Sequence, residues 1–253
     1  MNLQGTAALV TGAGRGLGAA LARELARQGA RVVLVARSST DLDRVAAEIR
    51  AEGGEAHPLP ADIGDKDAIY PLAGAAAALV GPIDLLVHNA STLGPTPLPL
   101  LLDTACEDLS RVLEVNLVGP FRLTKALAGS MALRGRGLVL HISSDAATSA
   151  YPGWGAYSAS KAALDHLARV WAAELEGTGV RFLGIDPGEM NTRMHADAMP
   201  DADPSLLADP ADVAKRIVRC VENVEEVPSG TRLADLPRVA GGSGRRLAEA
   251  GGR

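Results

Sequence analysis

Aromatic side chains and cysteines are scarce in this sequence of 253 residues. Aromatic residues make up 3% of the chain, whereas 47% of residues are hydrophobic, so alanine, valine and leucine must fill most of any core. The only two cysteines, Cys106 and Cys220, lie far apart and have neither metal-ligand nor redox spacing. We therefore expect two reduced thiols, with no disulfide and no metal site.

The sequence also lacks basic excess and long hydrophobic runs. The formal net charge is -5 and the sequence pI is near 5.6, which argues against a nucleic-acid-binding protein. The longest apolar stretches, at 72–80 and 98–102, are too short to span a bilayer. The N-terminus has no basic segment followed by an apolar run and a cleavage site. These absences predict a cytoplasmic protein that does not bind a membrane.

Short apolar segments alternate with helical patterns along most of the chain. Residues 7–10 precede a glycine-rich turn and helical periodicity over 17–28, and residues 31–36 are continuous and β-branched, as in a strand buried on both faces. This alternation predicts an α/β fold with a doubly wound, Rossmann-type parallel sheet and helices on both faces. Further strands are expected at 55–60, 83–87, 138–142, 180–185 and within 229–234.

Two prolines are expected to shape the helices between these strands. Pro71 should kink the helix over 66–80 or delay its start, and Gly119-Pro120 should separate a helix over 104–117 from one over 121–134. Residues 186–208 show no clear periodicity. We expect one dinucleotide-binding and catalytic domain over 1–236. Residues 237–253 are rich in glycine and lack a core pattern, which predicts a flexible tail.

The turn after the first strand is rich in glycine. Glycines at the start of a helix let a pyrophosphate approach the backbone N–H groups, where the helix dipole favours negative charge. The spacing fits GxGxxA through Gly14, Gly16 and Ala19 equally well as TGxxxGxG through Gly12, Gly16 and Gly18. The turn is therefore a candidate nucleotide site, although a purely structural tight turn would have the same composition.

The end of the second strand bears on the choice of cofactor. An NAD site usually has an acidic residue there, which accepts a hydrogen bond from the ribose 2′-hydroxyl. Here Ala36 and Arg37 occupy that end, and Arg15 in the glycine turn could add a second guanidinium. Two guanidinium groups favour a phosphate dianion. We predict NADP(H) over NAD(H), the alternative being that both arginines are solvated surface residues.

Tyr157 and Lys161 lie in a run with helical spacing and good helix formers. On a helix they would lie one turn apart on the same face, where the ammonium would lower the pKa of the phenol from about 10. The pair is therefore a candidate proton donor and acceptor. Because YxxxK also occurs by chance on solvated helices, this hypothesis depends on the other motifs.

Several motifs follow one another in a recognisable order between residues 4 and 223. Together they resemble the short-chain dehydrogenase/reductase family. The resemblance implies a single doubly wound domain that uses a nicotinamide cofactor to reduce carbonyls or oxidise alcohols, and that commonly forms homodimers or homotetramers. The motifs are Thr11-Gly12-x-x-x-Gly16-x-Gly18, Asp62, His88-Asn89-Ala90-Ser91, Asn116, Ile142-Ser143-Ser144, Tyr157-x-x-x-Lys161 and Pro187-Gly188-x-x-x-Thr192.

The resemblance also implies roles for individual residues. Ser144 would bind the substrate oxygen and Tyr157 would transfer the proton. Lys161 would hold the nicotinamide ribose and lower the pKa of Tyr157, and Asn116 would hold a water in a proton relay. The predicted cofactor contacts, besides Tyr157 and Lys161, are Gly12, Arg15, Gly16, Leu17 and Gly18 at the turn, Arg37, Asp62 and Ile63 at the adenosine end, Asn89 and Ala90 along the ribose, and Pro187, Gly188 and Thr192 at the carboxamide.

Some features depart from the family pattern or leave alternatives open. His88 and His141 are unusual, and we expect hydrogen-bonded core residues rather than catalysts. The substrate would be a small carbonyl or alcohol. A non-catalytic NADP(H)-sensing regulator on the same fold is the alternative, and a dehydratase or epimerase is a third possibility. Candidate substrate-lining residues are Leu93, Tyr151, Trp154, Met190, Met194 and His195.

Overall fold

Seven strands form one parallel sheet in the computed structural model, which describes residues 1–234 and 236. The order is β3-β2-β1-β4-β5-β6-β7, and each neighbouring pair is parallel, so the predicted doubly wound α/β fold is confirmed. The predicted tail at 237–253 lies outside the described residues, and the domain boundary at 236 stays a prediction. The strands are β1 Ala7–Thr11, β2 Arg31–Ala36, β3 Glu55–Pro60, β4 Leu85–His88, β5 Gly137–Ile142, β6 Val180–Ile185 and β7 Thr231–Leu233.

Helices cover both faces of the sheet, and each face has its own apolar core. The helices are α1 Gly16–Arg27, α2 Ser39–Ala51, α3 Ile69–Val80, α4 Cys106–Leu113, α5 Gly119–Leu133, α6 Gly155–Glu174, α7 Arg193–Ala198 and α8 Pro210–Glu222. One core packs α1, α2 and α8 against the sheet, and the other packs α3, α5 and α6. Among the described helices, none is long and apolar enough to cross a bilayer.

The edge strand β3 contains two prolines, Pro58 and Pro60. Proline cannot donate to a sheet ladder, and it is tolerated where one side of the strand has no partner. β3 pairs only with β2 and occupies one end of the sheet. The weak strand expected at 55–60 is therefore present, and its composition suits its position.

The predicted break at Gly119 and Pro120 is wrong. α4 continues into α5 through a π turn, Glu114–Val118, and Pro120 lies in the first turn of α5. Gly119 is needed for close packing, because a Cβ there would lie 2.3 Å from the Ile63 carbonyl oxygen. By contrast, the delayed start predicted from Pro71 is confirmed, since α3 begins only at Ile69.

The segment 186–208, expected to be irregular, contains the short helix α7. The Thr192 hydroxyl caps this helix by accepting a hydrogen bond from the His195 N–H at 3.2 Å. A helix of six residues has too few turns to show a periodic apolar face. The capped helix brings the chain back beside the carboxyl ends of the strands.

Strand order reverses between β1 and β4. Connections from neighbouring strands leave in opposite directions at such a point, which opens a crevice beyond the carboxyl ends of the strands. β1 leads into the glycine turn and β4 leads into Asn89. The topology therefore places the predicted cofactor residues and the predicted catalytic residues at the same edge of the sheet.

Candidate active site

A cavity of about 950 Å³ lies at this edge of the sheet. It is lined by the glycine turn, by the residues that follow β2, β4, β5 and β6, and by residues of α6 and α7. All the predicted catalytic and cofactor residues line it except Asn116. No group of three or more histidine, cysteine, aspartate or glutamate residues in the described part of the chain could hold a metal ion.

The glycine turn packs so tightly against itself and against Asn89 that a side chain would not fit at Gly12 or at Gly18. Gly12 has a φ of +68°, and a Cβ there would lie 2.7 Å from Asn89 Nδ2. A Cβ on Gly18 would lie 2.2 Å from the Gly12 carbonyl oxygen, whereas the atom nearest to one on Gly14 would be the Asp41 Cβ, at 3.0 Å. The geometry favours the TGxxxGxG parse and provides a bare backbone against which a pyrophosphate fits.

Hydrogen bonds fix the turn to the end of β4. Thr11 Oγ1 donates to the Val87 carbonyl at 3.1 Å and accepts from the N–H groups of Asn89 and Ala90 at 3.0 and 3.1 Å. Asn89 Nδ2 donates to the Thr11 carbonyl at 2.9 Å. Thr11 and Asn89 therefore hold the two sides of the crevice together at the point where strand order reverses.

Three charged residues mark the end of the cavity next to β2. Arg15 and Arg37 are exposed, and neither forms an ion pair with the part of the chain that the structure describes. Asp41, in the first turn of α2, also lines the cavity, although it belongs to none of the sequence motifs. Its carboxylate lies 4.0 Å from Arg44, whose Nη2 donates to the Gly14 carbonyl at 3.0 Å.

Asp62 lies at the same end, held in one orientation by two hydrogen bonds. Its carboxylate accepts from the Gly64 N–H at 2.9 Å and from Arg111 Nη2 at 2.6 Å. Burial acts to raise the pKa of Asp62, but these two bonds and the nearby Arg111 and Arg37 charges lower it below its ordinary value. The carboxylate is therefore charged and preoriented beside the cavity, next to Ile63.

Tyr157 and Lys161 lie on α6 as the spacing predicted. Tyr157 is 8% exposed, and Lys161 Nζ lies 5.5 Å from the centroid of its ring. Lys161 Nζ also donates to the Ile142 carbonyl at 2.7 Å. Ser144 follows β5, and its hydroxyl donates to Asp145 Oδ1 at 2.9 Å. The three predicted catalytic side chains thus line the same cavity.

The pKa of Tyr157 lies above its ordinary value in this structure, not below it as the pairing with Lys161 predicted, and the lowering by Lys161 itself stays a prediction. Burial raises the pKa of the phenol to about 12, and the Asp186 and Asp145 carboxylates add to the increase. The Ser144 and Ser91 hydroxyls oppose it. Burial also lowers the pKa of Lys161 to about 8, against the opposing charge of Asp165.

Asn116 lies behind the cavity, in the π turn, and all of its amide groups have partners. Its Oδ1 accepts from the Thr92 N–H at 2.8 Å, and its Nδ2 donates to the Thr92 carbonyl at 2.9 Å and to Ser160 Oγ at 3.0 Å. The side chain therefore joins the segment after β4 to α6. It has no donor left with which to hold a water.

The two unusual histidines are buried and hydrogen-bonded, as predicted. His88 Nε2 lies 2.8 Å from Thr124 Oγ1, and burial, reinforced by the charges of His141 and Lys161, lowers its pKa to about 3. His141 Nε2 lies 2.6 Å from Asp165 Oδ1. Neither histidine lines the large cavity.

Apolar side chains pack around Tyr157 at one wall of the cavity. Leu93 and Ala146 pack with Tyr157, and Trp154 and Met194 pack against this cluster. The Trp154 and Tyr157 rings meet edge to face, with centroids 5.7 Å apart. The other predicted lining residues, Tyr151, Met190 and His195, also line the cavity.

Comparison with known proteins identifies what the chain is similar to. A family model described as short chain dehydrogenase matches residues 6–203. A short chain dehydrogenase from Pseudocercospora fijiensis is 41% identical over 77% of this chain and 62% of its own length. An NADPH-dependent aldehyde reductase-like protein, chloroplastic, from Arabidopsis thaliana is 35% identical over 77% of this chain and 76% of its own length.

The matched region is a minor part of one relative. A glycine betaine reductase from Emericella nidulans is 34% identical over 89% of this chain but only 18% of its own length. The chain thus spans less than two thirds of the length of this relative and of the one from Pseudocercospora fijiensis.

Two solved structures resemble the whole described fold. A 7α-hydroxysteroid dehydrogenase complexed with NADH and 7-oxo glycochenodeoxycholic acid has a TM-score of 0.84 and 30% identity, covering 93% of this chain and 95% of its own. A metagenomic short-chain oxidoreductase in complex with NADP has a TM-score of 0.79 and 33% identity, covering 94% and 100%. Similar structures therefore bind nicotinamide cofactors of both kinds.

Proposed function

The chain belongs to the short-chain dehydrogenase family, a family of oxidoreductases, and on that premise we propose that it is an NADP(H)-dependent enzyme acting on carbonyl compounds or the corresponding alcohols. The observation that carries the proposal is the convergence of Ser144, Tyr157 and Lys161 on one cavity with the glycine turn. A regulator that only sensed the cofactor would not need the Ser144 hydroxyl and the Tyr157 phenol beside it.

Each of the three side chains has its own part in the proposed chemistry. A bound nicotinamide cofactor supplies or accepts the hydride. The Ser144 hydroxyl donates to the carbonyl oxygen and stabilises the negative charge that develops on it. Tyr157 gives that oxygen its proton, and a phenol with a pKa of about 12 is protonated and ready to donate at neutral pH. Lys161 holds the ribose of the cofactor.

The assigned role of Asn116 moves from its side chain to its backbone. Because both donors of the amide are engaged, we propose that a water of a proton relay would bind at the Asn116 carbonyl oxygen. In an α-helix that oxygen would accept from residue 120, but Pro120 has no N–H to donate. A carbonyl oxygen has two lone pairs, so the Asn116 carbonyl can accept a hydrogen bond from a water in addition to any helical N–H.

The preference for NADP(H) rests on the two arginines at the adenosine end. Arg15 and Arg37 line the cavity with their charges unpaired by the described carboxylates. A 2′-phosphate would supply the missing anion. The NADPH-dependent relative and the NADP complex favour this proposal, whereas the NADH complex is the counterexample that makes a direct test necessary.

We propose a substrate with an apolar substituent next to its carbonyl group. The wall formed by Leu93, Trp154 and Met194 offers apolar surface beside Tyr157. Such a wall binds alkyl or aryl groups by removing them from water, at roughly 25 cal/mol per Å² of buried apolar surface. Small polyols and sugar acids would gain little from it.

The direct test is turnover by the purified protein with NADPH or NADP and a panel of ketones, aldehydes, quinones and alcohols. We expect higher activity with apolar carbonyl compounds than with polar ones. One molecule of NADPH should be oxidised for each molecule of alcohol formed. Tyr157→Phe should leave the affinity for NADPH nearly intact and reduce kcat by about 100-fold or more, as loss of a general acid does. An active Phe variant would refute the role of Tyr157.

NADPH binding without turnover across the panel would instead favour the sensing regulator. Redox-neutral conversion of a hydroxy or epimerisable compound would favour the dehydratase or epimerase. The cytoplasmic location and the homodimer or homotetramer expected from the sequence stay predictions. Size-exclusion chromatography with light scattering measures the latter.

A further inference from the structure

Arg232, on the last strand, reaches from β7 to the rim of the cavity. Its Nε lies 3.1 Å from Ser143 Oγ and 3.1 Å from Asp165 Oδ2. Its Nη2 donates to the Ser144 carbonyl at 2.7 Å and to Asp186 Oδ2 at 2.9 Å. One planar guanidinium therefore connects the ends of β5 and β6 with α6, a geometry that the single point charge of a lysine cannot reproduce.

Asp165 on α6, which pairs with Arg232, is itself held in place by other buried side chains. Asp165 accepts from Ser143 Oγ at 2.7 Å and lies 2.6 Å from His141 Nε2, and its side chain is 8% exposed. Gly184 leaves room for the imidazole, because a Cβ there would lie 2.7 Å from His141 Nε2. A buried carboxylate needs hydrogen-bond and charged partners to offset its desolvation. Arg232 therefore contacts a carboxylate whose position is already fixed by Ser143 and His141.

The second carboxylate, Asp186, shapes the loop after β6. Its Oδ1 accepts from the Gly188 N–H at 3.0 Å, and its backbone N–H donates to the Leu233 carbonyl at 2.8 Å. Pro187 and Gly188 line the cavity on this loop. Arg232 therefore holds, through Asp186, the segment that carries two of the proposed nicotinamide contacts.

We propose that Arg232 is a positioning residue that keeps the Ser144 strand end and the Asp186 loop in register around Tyr157. As far as it concerns the reaction, this inference rests on the proposed function. Arg232 donates to the backbone carbonyl of Ser144 rather than to its hydroxyl, so it acts on the reacting groups through Ser144 and Asp186.

Arg232 also pairs with one of the carboxylates that act on Tyr157. The charged groups that act on or lie beside the phenol are Asp186 after β6, Asp145 after β5 and Lys161 on α6. Asp186 acts to raise the pKa of Tyr157, and Arg232 pairs with that carboxylate. Removal of the guanidinium leaves the Asp186 charge uncompensated, so the pKa of Tyr157 should rise further.

The first experiment needs no turnover. Hydrogen–deuterium exchange is measured by mass spectrometry on the cofactor-free protein, comparing wild type, Arg232→Gln and Arg181→Gln. Arg181 is a matched control, because its side chain is 25% exposed against 22% for Arg232 and its Nη2 donates to the carbonyls of Val224 and Val227. We expect faster exchange over 143–147 and 186–190 in Arg232→Gln alone.

The second experiment is kinetic. Arg232→Gln should reduce kcat by about 100-fold, the loss expected for a displacement of roughly 1 Å at the reacting groups, while Arg181→Gln stays near the wild type. Arg232→Lys should recover part of the loss. In the direction of alcohol oxidation, activity rises with pH as Tyr157 loses its proton, and this rising limb of the pH profile should move to higher pH in Arg232→Gln because the phenolate base becomes harder to form.

Equal exchange and equal kcat in the two glutamine variants would overturn the proposal. If Arg232→Gln does not fold, Arg232→Lys provides the test. Exchange rates and kcat indistinguishable from those of the wild type would show that the several hydrogen bonds of the guanidinium are not needed, and would overturn the proposal. A wild-type protein without turnover would sink the proposed function, yet the exchange data would still decide whether Arg232 orders these two segments.

Discussion

Burial acts in opposite directions on the pKa values of Tyr157 and Lys161. The phenol is neutral when protonated, so burial raises its pKa to about 12, whereas the ammonium is charged when protonated, so burial lowers its pKa to about 8. Both shifts favour the neutral side chain. Tyr157 is therefore protonated at neutral pH, and the charge of Lys161 changes with pH close to the physiological range.

The two arginines at the adenosine end can be tested singly. Arg37→Ala should raise the KM for NADPH by about 10- to 100-fold, the range expected for losing hydrogen bonds to a charged group, and should leave the KM for NADH nearly unchanged. Asp41→Asn is the control, because it removes a charge from the same end of the cavity without removing a phosphate ligand. Steady-state kinetics with both cofactors measures the difference. Equal losses with NADPH and NADH in Arg37→Ala would contradict the preference.

The π turn is the element that places Asn116. It offsets the helix between α4 and α5, and its central asparagine joins Thr92 to Ser160 on α6. The sequence identified Asn116 through the family resemblance, but it carried no signal for a π turn, because hydrogen-bond register within a helix leaves no compositional mark. The pair Gly119-Pro120 predicted a helix break. The structure instead uses Gly119 because there is no room for a side chain next to the Ile63 carbonyl.

Asn116→Asp tests the structural part of this element. The substitution keeps the shape but replaces the Nδ2 donor with an acceptor, so the Thr92 carbonyl and Ser160 Oγ each lose a donated hydrogen bond. A buried polar group without its partner costs about 1–3 kcal/mol, and we expect the Tm to fall by about 3–10 °C. Asn223→Asp, at an exposed asparagine that donates to the Arg219 carbonyl, should change the Tm little. Equal Tm changes in both variants would contradict the role.

Strand order determines which parts of the whole molecule could be predicted from sequence. The glycine turn, Ser144 and Tyr157 all follow or flank strands with strong apolar patterns, so a parallel sheet brings them to one edge whatever the details of the loops. Arg232 escaped prediction because β7 has only three residues, none of them fully buried, and its contacts join residues 46 to 89 positions away. Short strands and long-range charge pairs leave no periodic pattern.

The charge state of Lys161 should be visible in the stability of the whole molecule. The unfolded chain holds this proton up to the ordinary pKa of 10.5, whereas the folded protein releases it near 8. Between these values the unfolded state binds more protons, so the free energy of unfolding rises with pH. The contribution of Lys161 is thus present above pH 10.5 and is lost as pH falls through 8.

Lys161→Met removes this dependence. We expect the free energy of unfolding of the cofactor-free wild type to rise relative to the variant by up to about 3 kcal/mol between pH 7 and pH 10.5. Lys125→Met, at an exposed lysine on α5, should track the wild type across the same range. Urea unfolding in steps of one pH unit measures all three proteins. A constant difference between the wild type and Lys161→Met would mean that Lys161 keeps its ordinary pKa when buried, and the ammonium would then be charged in the folded protein throughout the working range.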